Sequence, residues 1–153
     1  MTPLSQEEAM VILTVAHIAH IGVIADGEPY VTPMSYVVDG DRVLFRTMPG
    51  RKLDAIRKLP KVSIEVSRLD ETTGDWVSVI AKGTAVETDD ETLKSKVVEM
   101  LMEKYRSIIG SPLSTGGMPL LGGAPHVIVV NLDEVSGMSS GRGWDHRTRP
   151  GRL

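Results

Sequence analysis

The chain has 153 residues, close to the commonest size of one domain, and its 41% apolar and 24% charged residues are globular proportions. A net charge of -3 gives no general attraction to nucleic acid or anionic membrane, so any anion site must be a local cluster of basic residues. There is no cysteine, which excludes disulfides, thiolate zinc sites and cysteine nucleophiles, and the cytoplasm is the simplest compartment.

Ser5-Gln6-Glu7-Glu8 fits a capping box, which predicts a helix from about Gln6 to Val15. It opens the apolar run Ala9 to Ala25, which contains His17 and His20, lacks the basic start of a signal peptide, and is too short and too polar for a membrane span. The run reads as a helix passing into a strand, Ile18 to Ala25. Asp26-Gly27 is a hairpin signal, after which Tyr30 to Val38 reads as the returning strand. Pro29 and Pro33 favour an edge or a bulge there. The turn Asp39-Gly40-Asp41 leads to Val43, Phe45 and Thr47 alternating with Leu44, Arg46 and Met48, a third strand that completes a predicted meander.

Leu53, Ile56 and Leu59 have helical spacing, and Pro60 stops that helix before Val62, Ile64 and Val66 alternate as a fourth strand. Asp70 to Asp75 makes a turn, and Trp76 to Val86 makes a fifth strand with Val77, Val79 and Ala81 on one face. Thr88-Asp89-Asp90-Glu91 opens a longer helix carrying Leu93, Val97, Leu101, Tyr105 and Ile108 on one stripe. Gly110 to His126, with five Gly and three Pro, reads as a long loop. A sixth strand runs from Val127 to about Val135. Residues 1–138 form one domain on this reading, and 139–153 a basic tail or flap around Trp144. Most strands follow tight turns, so the pattern predicts a mainly β fold with helices, an antiparallel barrel of six strands.

The stretch Phe45 to Ile56, FRTMPGRKLDAI, places Arg51 and Lys52 where a helix begins. Cations there oppose the partial positive charge of the unpaired N–H groups, at a cost of up to about 1 kcal/mol. A bound anion resolves the conflict: Arg51 binds phosphate bidentately, Lys52 supplies a mobile charge, Gly50 permits close backbone approach, and the helix start adds N–H donors. From the residues alone, a solvated basic pair is the competing reading.

The strand order, with VTPMSYVVDGDRVLFRTMPGRKLDAIRKLPKVSIEV and the later WVSVIAKGTA, resembles the pyridoxamine 5'-phosphate oxidase-like, FMN-binding split-barrel family over roughly residues 5 to 140. The resemblance implies FMN as cofactor, with Arg51 and Lys52 on its phosphate and Arg46 and Thr47 beside it. It sets the ring against Thr32, Pro33, Met34 and Ser35. It further implies a homodimer with the cofactor at the interface, burying the apolar second and third strands, and hydride transfer with a small-molecule substrate. Relatives of this size that use a deazaflavin coenzyme, and flavin carriers or sensors without turnover, share the pattern. In the full oxidases, aromatic and arginine residues near the C-terminus lie over the flavin, a role that Trp144 and Arg147 match loosely.

No catalytic residue is assigned. His17 and His20 are spaced i, i+3 where the pattern turns into a strand, and they read as packing or interface histidines rather than a metal pair; His126 and His146 look isolated. No metal, nucleic-acid or membrane partner is expected.

Overall fold

The structure is a computed structural model of the chain, and it describes residues 1–108 and 125–141. Along the chain the elements are β1 (Thr2–Pro3), α1 (Gln6–Val15), β2 (Ala19–Ala25), β3 (Glu28–Met34), β4 (Val37–Asp39) and β5 (Arg42–Thr47). There follow α2 (Arg51–Lys58), β6 (Lys61–Leu69), β7 (Trp76–Thr88), α3 (Glu91–Tyr105) and β8 (His126–Ser139). Every strand pairing is antiparallel.

The capping box forms as the sequence predicts: Ser5 Oγ accepts from the Glu8 N–H at 3.2 Å, and the Glu8 carboxylate accepts from the Ser5 N–H at 2.7 Å. Pro60 follows α2 and Asp90 caps α3. Val77, Val79 and Ala81 share the buried face of β7.

The strands run in the order β3-β2-β6-β7-β8-β5-β4, with β1 added beside β8. β3 and β4 occupy opposite ends of this path, yet only Ser35 and Tyr36 separate them in sequence. Three extended steps reach about 11 Å at most, so the sheet must curl until its two ends lie side by side. The fold is therefore a split barrel, open at the Ser35–Tyr36 corner.

The predicted strand Tyr30 to Val38 is two strands, and the predicted meander is two separate hairpins, β2–β3 and β4–β5. Tyr36 is the reason. Its side chain is fully buried, its hydroxyl donates to Leu13 O, and its N–H goes to the Tyr105 hydroxyl at 3.0 Å instead of to a neighbouring strand. This division makes seven strands of the predicted six, and β1, which the sequence pattern does not signal, makes eight among the described residues. β8 also runs four residues past the predicted Val135, to Ser139, the first residue of the predicted tail. The predicted loop as far as residue 124, and the tail from residue 142, lie outside the described residues.

Two cores result. The larger fills the barrel beneath α1 and α2 and includes Leu13, Ile21, Phe45, Leu53, Ile56, Ile64 and Ile128. The smaller packs α3 against the other face of β4, β5 and β8 through Val37, Leu44, Val97, Leu101, Tyr105 and Val129. β5 is thus covered on both faces, Val43 and Phe45 facing the first core and Leu44 the second. Leu53 is fully buried in the first, so α2 is fixed at its own first turn; truncation there to Ala would cost about 2–5 kcal/mol.

Candidate functional site

The chain leaves β5 at Thr47 and enters α2 at Arg51, and the start of α2 differs from those of the other helices. α1 has its capping box, and α3 has Asp90, whose carboxylate accepts from Thr92 N at 2.9 Å and Leu93 N at 3.3 Å. α2 begins after Gly50 with no side-chain cap. Its first intrahelical bond is Asp54 N to Gly50 O at 3.0 Å, which leaves the N–H groups of Arg51, Lys52 and Leu53 pointing forward. Gly50 is extended, with φ 164°, a conformation open to any residue, and a Cβ built on it meets no heavy atom within 4 Å. The space before the helix is open.

Arg51 and Lys52 sit on aromatic rings rather than carboxylates. The Arg51 guanidinium lies 4.6 Å from the centre of the Tyr30 ring, and the Lys52 ammonium 5.4 Å from that of Phe45. Burial pushes the Lys52 amine below the usual lysine range. Among the described residues neither cation forms an ion pair with a carboxylate.

Strand alternation decides which other predicted residues join them. Tyr30, Thr32 and Met34 share the inner face of β3, while Val31 and Pro33 face out. Phe45 and Thr47 share the inner face of β5; Arg46 alternates with them and faces the α3 side. The structure therefore brings Thr32, Met34, Thr47, Arg51 and Lys52 to one side of the barrel wall, and sets Pro33 and Arg46 on the opposite faces of their strands. Thr32 Oγ1 is buried without a hydrogen-bond partner, and Thr47 is buried with its hydroxyl donating to Met48 O at 3.2 Å. Ser35 is exposed at the corner and hydrogen-bonded to the Tyr105 hydroxyl. Trp144 and Arg147 lie outside the described residues.

Sequence reasoning missed Tyr30, although its alternation with Thr32 and Met34 was legible. It also missed the opposite end of α2, where Arg57 Nε and Nη2 reach Glu87 at 2.9 and 3.1 Å. The His126 ring contacts the same carboxylate, so His126 is not isolated as the sequence suggested. Arg57 and His126 together hold the Glu87 carboxyl below the usual carboxylate range. His17 packs edge-on against Tyr105, with ring centres 5.7 Å apart, and His20 faces Glu65 at 3.5 Å. Among the described residues no three metal-ligating side chains come together, and no helix is long and apolar enough to cross a membrane.

The sequence model of the pyridoxamine 5'-phosphate oxidase family matches residues 5–138. The chain belongs to that family. An uncharacterized protein of Rhizobium meliloti is 31% identical over 80 residues, an alignment spanning 52% of each chain, about half the length of that relative. Among solved structures, a FAD-binding protein from Mesorhizobium loti superposes with a TM-score of 0.72 at 22% identity, covering 90% of this chain and 95% of that one. A FAD-binding protein from Mycobacterium smegmatis gives 0.65 at 24% identity, with 90% and 98% covered. A flavocytochrome from Azotobacter vinelandii gives 0.65 at 25% identity, with 88% and 67% covered. All three likenesses bear on the fold, a flavin-binding split barrel.

Proposed function

We propose that this member of the pyridoxamine 5'-phosphate oxidase family is a flavin-dependent oxidoreductase that binds FMN, with the phosphate at the start of α2. The observation that carries this is the uncapped helix start, whose first turn holds two cations beside the single acid Asp54, neither cation forming an ion pair with a carboxylate among the described residues. A phosphate there accepts from the forward N–H groups and from Arg51 and Lys52, each charge-assisted contact contributing roughly 1.5–3 kcal/mol. Gly50 leaves room for it, and Thr47 stands next to the same turn. The isoalloxazine ring is assigned to the stretch Thr32 to Ser35, where Thr32 Oγ1 has an unmet hydrogen bond.

Bound flavin supplies hydride transfer to or from a small substrate stacked on its exposed face. The protein's part is to bind, to orient and to exclude water on one side of the ring. The flavin-binding relatives support this reading, and the FAD-binding ones favour testing the dinucleotide beside FMN. A deazaflavin coenzyme would draw on the same phosphate contacts, and a carrier or sensor would bind without turnover.

The proposal includes a homodimer in the cytoplasm. Ile24 on β2 and Val31 on β3 are 37% and 61% exposed, apolar surface that a two-fold partner would cover while completing the cofactor site.

The absorption spectrum of the purified protein, with mass spectrometry of what heat releases, tests the cofactor and separates FMN, FAD and deazaflavin. Titration of the apo protein should show FMN binding more tightly than riboflavin, which lacks the phosphate. Equal affinities would remove the phosphate site. A monomeric mass in light scattering with cofactor bound would remove the dimer, and reduction of bound flavin without turnover of any acceptor would favour the carrier.

A further inference from the structure

Behind the Ser35–Tyr36 corner lies a polar cluster that the cofactor contacts above do not use. The Tyr105 hydroxyl accepts from the Tyr36 N–H at 3.0 Å and lies 2.6 Å from His17 O and 3.2 Å from Tyr36 O. A phenol has one proton to give, and the shorter contact takes it to His17 O. Tyr36 O is served instead by the Lys104 amine at 3.0 Å. That amine lies 3.8 Å from the centre of the Tyr36 ring and 5.5 Å from that of Tyr105. The Tyr36 hydroxyl in turn donates to Leu13 O at the end of α1. Two side chains of α3 therefore tie the link into β2 to the two-residue corner that joins the ends of the split barrel, and Tyr36 itself ties that corner to α1.

We propose that Tyr105 and Lys104 are positioning residues for the flavin ring: they hold the Ser35–Tyr36 corner from behind and so fix the Thr32–Ser35 wall on which the ring lies. This rests on the cofactor reading above and assigns a function to the smaller core. Met34 is paired with Ala19 and Val37 with Leu44, but Ser35 and Tyr36 between them have no strand partner, and these hydroxyl and amine contacts hold the corner in their place.

The cluster also has a titratable member. The rings and the carbonyl favour the Lys104 ammonium, burial opposes it, and burial wins: the amine is pushed down to about 7. Around it, His17 is held below its ordinary range by burial and by Lys104 and Arg68, and both tyrosines are raised by burial. Nearby Asp39 on β4 is taken up by Arg42 and Lys96, and Glu103 by Arg106. Lys104 is thus the group of this set that changes charge near neutrality. Acidification places a charge in the cage and loosens the corner.

The test is riboflavin binding, which reads the ring wall without the phosphate. Tyr105→Phe keeps the packing and removes the hydroxyl. It should weaken riboflavin and FMN by the same factor, roughly tenfold, and shift the visible band of the bound flavin. In wild type, riboflavin affinity should fall as pH is lowered from about 8.5 to about 6, and in Lys104→Met the profile should be flat. Equal riboflavin affinity in Tyr105→Phe and wild type overturns the proposal, as does a Lys104→Met profile that follows wild type. The second variant keeps the test open should the first fail to fold. Wild type that binds neither flavin would remove the cofactor reading itself, whereas binding with no response to either variant removes only the clamp.

Discussion

The two ends of α2 carry the same kind of residue in opposite circumstances. At its C-terminal end Arg57 and Lys58 lie where cations suit the helix dipole, and both have carboxylate partners, Glu87 at 2.9 Å and Asp26 at 4.0 Å. At its N-terminal end Arg51 and Lys52 oppose the dipole and rest on Tyr30 and Phe45. One end meets the needs of the fold within the chain. The other leaves donors and charge to be answered from outside, which is what a ligand site requires and a stability device avoids.

The sharpest way to break this comparison is to remove both N-terminal cations. Arg51→Ala with Lys52→Ala should lower FMN affinity at least a hundredfold, since two charge-assisted contacts of roughly 1.5–3 kcal/mol each are lost. Riboflavin affinity should hold, and apo stability should hold or rise slightly, because the removed charges oppose the dipole. Calorimetric titration with both ligands, beside thermal melts, reads all three.

The C-terminal end should answer in reverse. Arg57→Ala leaves Glu87 without its bidentate partner and should lower the midpoint of thermal unfolding, with FMN affinity at the wild-type value. A loss of FMN binding without loss of stability would make the two ends alike.

Acidity sharpens the same contrast. The Glu87 carboxyl is depressed in the folded chain, so its contribution is present above the usual carboxylate pKa and is lost as pH falls through the folded value. The acid limb of the stability curve, measured by denaturant melts below about pH 5, should be shallower in Glu87→Gln than in wild type.

The smallest effect belongs to Gly50→Ala. Its Cβ meets nothing and its φ suits any residue, so apo stability should stay within about 1 kcal/mol of wild type or rise. FMN affinity should nevertheless fall a few-fold, because the added methyl enters the open space before the helix.

What could be read from the sequence follows the range of the interactions involved. Ser5 and Glu8 satisfy each other across three residues, so α1 was legible to its last residue. The cations at the start of α2 were legible because their conflict with the helix start is local. The break between β3 and β4 was not, because Tyr30, Thr32, Met34, Tyr36 and Val38 continue the period of two. What ends the strand is a hydroxyl 69 residues away. The length of β8 was hidden for another reason. Its register with β7 shifts between Lys82 and Gly83, so that Glu134 and Leu132 face consecutive residues and Asp133 is left over. Alternation is reset there, and a strand read by its period stops short. In the candidate site, the strand faces that group Thr32, Met34 and Thr47 together follow from alternation, but the crossing of α2 over Tyr30 and Phe45 is tertiary.

β8 lies between β7 and β5 and also carries β1, so three earlier strands share one late partner. During synthesis, residue 2 must wait for residue 139, and β5 has only the short β4 beside it until residues 126–131 emerge. Barrel closure is consequently a late event built on contacts far apart in the chain, which slows folding and leaves strand edges open in the meantime. Chaperones that meet the chain before β8 has paired therefore meet it as an unclosed sheet.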